Sequence, residues 1–200
     1  MQRAQYEDKL MKLITIEDVR DVYLKGIQRG GKFILSKISL SEKNRTKSSF
    51  NDTDISSSNW WDIPAVRKRW NYLITGNEDL HYEKYVSEKY VGEKSPKMLA
   101  IGSGVCSHEL EFARLNPEWD ITCLDFSEKL MQAAREVADD EGLKNIRFLV
   151  EDIYEYPLPA ESFDIVFFHA SLHHFKDMEG FLDRVHQTLI SGGKLMINEY

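Results

Sequence analysis

The chain has 200 residues, 42% of them apolar and 12% aromatic, enough for one sizeable core with a helical extension beside it. Its longest apolar runs, such as 165–168, are far too short to cross a bilayer, and Met1-Gln2-Arg3 leads into charged sequence without a signal-peptide core, so a cytoplasmic location and no membrane span are expected. Net charge is −7, but Lys and Arg outnumber Asp and Glu by 17 to 14 in residues 1–95 and are outnumbered 19 to 9 thereafter, which argues against a nucleic-acid surface on the C-terminal half.

The sequence divides into two parts. Thr15-Ile16-Glu17-Asp18 reads as a helix start, with Val19, Val22, Tyr23 and Ile27 at helical spacing before Gly30-Gly31. Residues 41–59 are dominated by Ser, Thr, Asn and Asp, carry no apolar stripe and predict a flexible loop. Asp62 is then placed to cap a helix with Pro64 in its first turn, and Ile63, Val66, Trp70 and Leu73 trace one face. Arg67, Lys68 and Arg69 spread around that helix as a solvated face or as an attraction for an anionic ligand. A second helix from about residue 79 puts Tyr82, Tyr85, Val86 and Tyr90 on one side. Residues 1–95 are therefore expected to form an N-terminal helical extension or lid, and 96–200 a separate domain.

From Lys97 onward the pattern is strands alternating with helices. The apolar segments 98–101, 121–124, 146–150, 163–168 and 195–197 are short and nearly continuous, as strands buried on both faces read. Between them lie a helix over 107–115, one over 128–140 capped by Ser127 and ended by Gly142, and one capped by Asp177. The last carries Phe181, Leu182, Val185 and Leu189 inward and ends at Gly192-Gly193. The predicted fold is α/β: a doubly wound, mostly parallel sheet with helices on both faces, and a ligand at the carboxyl ends of its central strands.

The turn after the first strand, Gly102-Ser103-Gly104, lets backbone approach a ligand and aims the next helix's amides toward it. Cys106 stands where a dinucleotide-binding loop wants a third glycine, which argues against a nicotinamide or flavin site. Asp125 follows the second strand, where a carboxylate accepts both hydroxyl hydrogens of a ribose, and Asp152 follows the third at the same sheet edge. Together they point to a nucleoside ligand. His169, His173 and His174 in FFHASLHHF are candidate proton acceptors, since imidazole changes charge near neutral pH. They lack carboxylates at a ligating spacing, and the two cysteines, Cys106 and Cys123, form neither a disulfide framework nor a zinc motif, so no metal is expected.

KMLAIGSGVCSHELEFA, DITCLDFSEKLMQAARE, IRFLVEDIYEYPLPAESFDIVFFHASLHHF and LISGGKLMINEY resemble, in order, the motifs of Rossmann-like S-adenosylmethionine-dependent methyltransferases of the small-molecule type. The resemblance implies that Gly102, Ser103 and Gly104 hold the methionine part of S-adenosylmethionine. It places Asp125 with Phe126 on the ribose, Asp152 with Ile153 around the adenine, and His169 beside the sulfonium. His169 and His173 become the candidate bases, and Trp60, Trp61 and Arg69 the wall of a pocket for a small-molecule methyl acceptor. Two departures stand out: Ala100 occupies the position, two before the first glycine, that is often acidic in the family, and Cys106 replaces a later glycine. The family's strand order runs 3-2-1-4-5 and continues with an antiparallel pair, so a chain ending at Tyr200 is expected to be incomplete at its C-terminus. Otherwise strand 194–199 is left as an edge open to pairing with another chain. A non-catalytic S-adenosylmethionine-binding protein and a nucleotide-dependent oxidoreductase remain the alternatives.

Overall fold

Alternate residues of each central strand enter two different cores, one on each face of a five-stranded sheet. The structure, a computed structural model, describes Arg20, Tyr23, 63–91 and 95–199, and divides into two units, 1–56 and 57–200. In the first unit only Arg20 and Tyr23 are described, both helical and exposed. The expected loop 41–59, together with Trp60, Trp61 and Asp62, lies outside the described residues.

The second unit begins with α1 (Pro64–Thr75) and α2 (Tyr82–Val86), the latter running on as a π-helical turn over Ser87–Val91. Then follow β1 (Lys97–Ile101), α3 (Ser107–Leu115), β2 (Asp120–Asp125), α4 (Glu128–Asp140), β3 (Ile146–Val150), β4 (Phe163–His169), α5 (Met178–Thr188) and β5 (Leu189–Asn198). The strands are all parallel, in the order β3-β2-β1-β4-β5, the reversal falling between β1 and β4. Because successive side chains point to opposite faces, Met98, Ala100, Ile121, Cys123 and Phe167 pack with α3 and α4 on one side, while Leu99, Ile101, Leu124 and Phe168 pack with α5 on the other. This is the doubly wound α/β arrangement the alternation predicts.

Several boundaries differ from the sequence expectations. Ile63, not Asp62, is the N-cap of α1, with Pro64 at its start and no side-chain cap bond. Ile63 and Leu73 are exposed, and the helix buries Asn71 instead. In α2 Glu83 is buried, and in the π turn that follows Ser87 is buried while Tyr90 is exposed, since the widened turn shifts the face onward from Tyr82. α5 stops at Thr188, and Leu189 through Gly193 join β5 rather than closing the helix, because pairing with β4 extends across a register shift at Phe163/Ile165. β3 and β5 are not buried on both faces: they are the sheet's edges, and Leu195 and Ile197 are 41% and 48% exposed.

Candidate functional site

The site lies at the carboxyl ends of β1, β2 and β4, where the strand order reverses. β1 ends at Ile101 and the chain turns through Gly102 with φ +71°, its N–H bonded to the Leu124 carbonyl at 2.8 Å. A β-carbon there would stand 2.9 Å from Cβ of Ser171, so only glycine lets the loop lie against the β4 side. Ser103 is half-buried between the two glycines. Gly104, at φ +54°, has nothing within 4 Å of where a β-carbon would be, and its N–H donates to Asp125 Oδ2 at 3.0 Å. Cys106, the N-cap of α3, adopts the left-handed conformation (φ 55°) that a glycine takes without strain. Its free thiol, hydrogen-bonded to that of Cys123 and buried, is pushed well up and held protonated.

Asp125 is the last residue of β2 and 7% exposed. Burial pushes its carboxyl up, while amide donors from Ser127 (2.8 Å) and Gly104 pull the other way. Phe126 is half-buried beside it. Asp152 lies just past β3, half-buried, its Oδ1 accepting from the Tyr154 amide at 3.0 Å. Ile153 is buried in the core with Leu99 and Leu124, and its carbonyl accepts from Arg184.

His169 ends β4 beside a group that sequence reasoning missed. The Tyr82 hydroxyl lies 3.3 Å from His169 Nδ1, and the His108 ring sits on the His169 ring with centroids 3.6 Å apart. His108 Nδ1 is 2.7 Å from Glu83 Oε1, with the two side chains only 12% and 6% exposed. Burial, reinforced by the His108 charge, pushes His169 down to about 3, so its imidazole is neutral. Burial also pushes the adjacent Glu109 up to about 7 and raises the Tyr82 phenol.

The remaining expected residues are elsewhere. His173 is exposed in the short turn Leu172–His174, and its Nδ1 lies 2.8 Å from Oε2 of Glu199. Oε1 of the same carboxylate accepts from the Ser171 and Leu172 amides at 2.9 and 2.6 Å. His174 is exposed, and partial desolvation of its ring, with the nearby His173, lowers its pKa. Arg69 is exposed on α1, 6.0 Å from the Tyr72 ring. Among the described residues no helix is long and apolar enough to cross a membrane, and no three His, Cys, Asp or Glu side chains gather as metal ligands.

Residues 99–197 match the family described as "Methyltransferase domain". A demethylmenaquinone methyltransferase of Thermus thermophilus is 28% identical over 131 residues, covering 65% of this chain and 59% of that protein. This chain thus spans less than two thirds of the length of such relatives. Among solved structures, the [4+2]-cyclase SpnF is similar at TM-score 0.54 and 25% identity, over 59% of this chain and 43% of that one. A Methanococcus maripaludis protein described as an S-adenosyl-L-methionine-dependent methyltransferase shares the fold at TM-score 0.54 and 20% identity, over 69% and 61% of the two chains.

Proposed function

We propose that the protein, whose residues 99–197 match the methyltransferase-domain family, transfers a methyl group from S-adenosylmethionine to a small-molecule acceptor. The observation that carries this reading is the pairing of Gly104 with Asp125: open space over a left-handed glycine, next to a carboxylate at a strand end. The residues fit the ligand. A carboxylate offers about four acceptor positions, and the Ser127, Gly104 and Phe126 amides take three of them, leaving capacity for a ribose hydroxyl. Asp152 and Ile153 are the proposed surroundings of the adenine, with Phe126 beside the ribose.

S-adenosylmethionine supplies a methyl group on a cationic sulfur, open to in-line displacement, so the chain's main task is placement. His169 suits a position near that sulfur because burial keeps it neutral, and a pKa pushed down to about 3 makes it a poor proton acceptor. His173 is engaged by Glu199 at the surface and serves the turn rather than the chemistry. We assign the choice of acceptor to the segment before β1, with Trp60, Trp61 and Arg69 as its candidate contacts. A similar fold belongs to a [4+2]-cyclase, so fold alone does not fix the reaction, and the decisive assay must count transferred methyl groups. The match to a methyltransferase family supports this reading over the oxidoreductase alternative.

Calorimetry with S-adenosylmethionine and S-adenosylhomocysteine tests the binding half. Asp125→Asn, which keeps the size but removes the charge, should weaken both by about 1.5–3 kcal/mol. Unchanged affinity in the folded variant, or preference for a nicotinamide dinucleotide, would overturn the assignment.

A further inference from the structure

We propose that Arg184 sets which nucleobase this site accepts: it is a positioning residue that aims the Asp152 carboxylate at a purine 6-amino group, acting through the peptide unit between Ile153 and Tyr154. The inference rests on the methyltransferase reading above. Its ground is a continuous set of contacts from α5 to the turn after β3.

Arg184 is half-buried on α5, and its Nη2 donates to the carbonyls of Ile153 and Tyr156, both at 3.0 Å. A charged donor makes such bonds stronger than neutral ones, and a planar guanidinium holds a fixed direction that a lysine ammonium does not. The Ile153 carbonyl and the Tyr154 N–H belong to one peptide unit, which is trans and planar, so the two groups point opposite ways. With the carbonyl held on Arg184, the N–H faces away from α5, and it donates to Asp152 Oδ1 at 3.0 Å. The carboxylate is thus fixed by a hydrogen bond whose peptide is anchored on the guanidinium. The rest of the turn keeps that peptide from swinging. The Asp152 carbonyl accepts from the Glu155 and Tyr156 amides at 2.9 and 2.8 Å, and the Tyr154 hydroxyl accepts from the Lys176 amide at 2.7 Å. An ionised carboxylate only accepts hydrogen bonds. Held in this orientation beside the proposed adenine position, it takes an amino hydrogen and meets a 6-oxo group lone pair to lone pair, which excludes the wrong base.

Calorimetry compares S-adenosylhomocysteine with S-inosylhomocysteine, in which an oxygen replaces the 6-amino group. The protein should bind the adenine compound at least about tenfold more tightly. Arg184→Met, which keeps an apolar stem without donors, should bring that ratio close to one, and Arg184→Lys should fall between. In an Asp152→Asn background, Arg184→Met should cost less S-adenosylhomocysteine affinity than it does alone, because both changes act on one contact. A merely structural role for Arg184 lowers the urea midpoint and both affinities together; an unchanged ratio in the folded Arg184→Met or Arg184→Lys variant therefore overturns the proposal. An equal loss with and without Asp152, or no preference between the two bases in the unaltered protein, overturns it as well. Failure of S-adenosylhomocysteine itself to bind takes down the methyltransferase reading and this inference with it.

Discussion

Gly102 and Gly104 share a left-handed backbone and differ in what a side chain would meet, so the same substitution should separate their roles. Alanine at either position costs about 1–2 kcal/mol for the conformation alone. At Gly102 the new β-carbon also collides with Cβ of Ser171 at 2.9 Å, so chemical denaturation should show the larger loss there. At Gly104 nothing lies within 4 Å, and the methyl group fills space that the proposed reading gives to the ligand. Gly104→Ala should therefore lose S-adenosylhomocysteine affinity out of proportion to its small loss of stability; wild-type affinity would remove Gly104 from the site. Both glycines and Asp125 are legible in the sequence because loop and strand end impose short, recognisable spacings. Glu83 and His108 are not, since 25 residues separate them and only the packing of α2 against α3 brings them within 2.7 Å.

At the scale of elements, the turn after β4 depends on one carboxylate from the end of β5. Glu199 accepts two consecutive amides, Ser171 and Leu172, and pairs with His173. Ser171 is buried and its hydroxyl donates to the Ile101 carbonyl at 2.8 Å, so the turn is also tied to the glycine loop. Glu199→Ala leaves both amides without that acceptor, at a cost of about 1–3 kcal/mol for a buried donor. Amide exchange should accelerate at Ser171 and Leu172 before it does in β1; uniform protection across both would show that the latch contributes nothing local. The central strands and α4 were readable because their signals are local: apolar runs, the Ser127 cap, the Gly142 stop. In α1 the helical spacing points Ile63 and Leu73 inward although both are exposed, and the apolar run 195–197 marks only the end of β5. Helical spacing does not say which neighbour a face meets, and the Leu189–Gly193 stretch becomes strand only through its pairing with β4.

For the whole molecule, two buried groups with opposite shifts should shape stability against pH. His169 titrates near 3 in the fold instead of its ordinary 6.5. As pH falls from 6.5 toward 3, the unfolded chain binds a proton that the fold refuses, so this contribution is complete above 6.5 and is lost on acidification. Glu109 titrates near 7 instead of 4.5. As pH rises from 4.5 toward 7, the unfolded chain releases a proton that the fold keeps, so its contribution is complete below 4.5 and lost on alkalinisation. Each limb has a limiting slope of about 1.4 kcal/mol per pH unit, and between 4.5 and 6.5 the two oppose each other, leaving a plateau. Asp125, also raised by burial, adds to the alkaline limb. Urea midpoints across this range should therefore change shape in the variants and not merely in height. His169→Asn, freed of the acid limb, should gain stability as pH drops from 7 to 4.5. Glu109→Gln should instead keep gaining as pH rises from 3 to 6.5. Curves that run parallel to wild type in both variants would mean that neither burial governs the titration of the fold, and that the neutral His169 beside the proposed sulfonium position is not enforced by its surroundings.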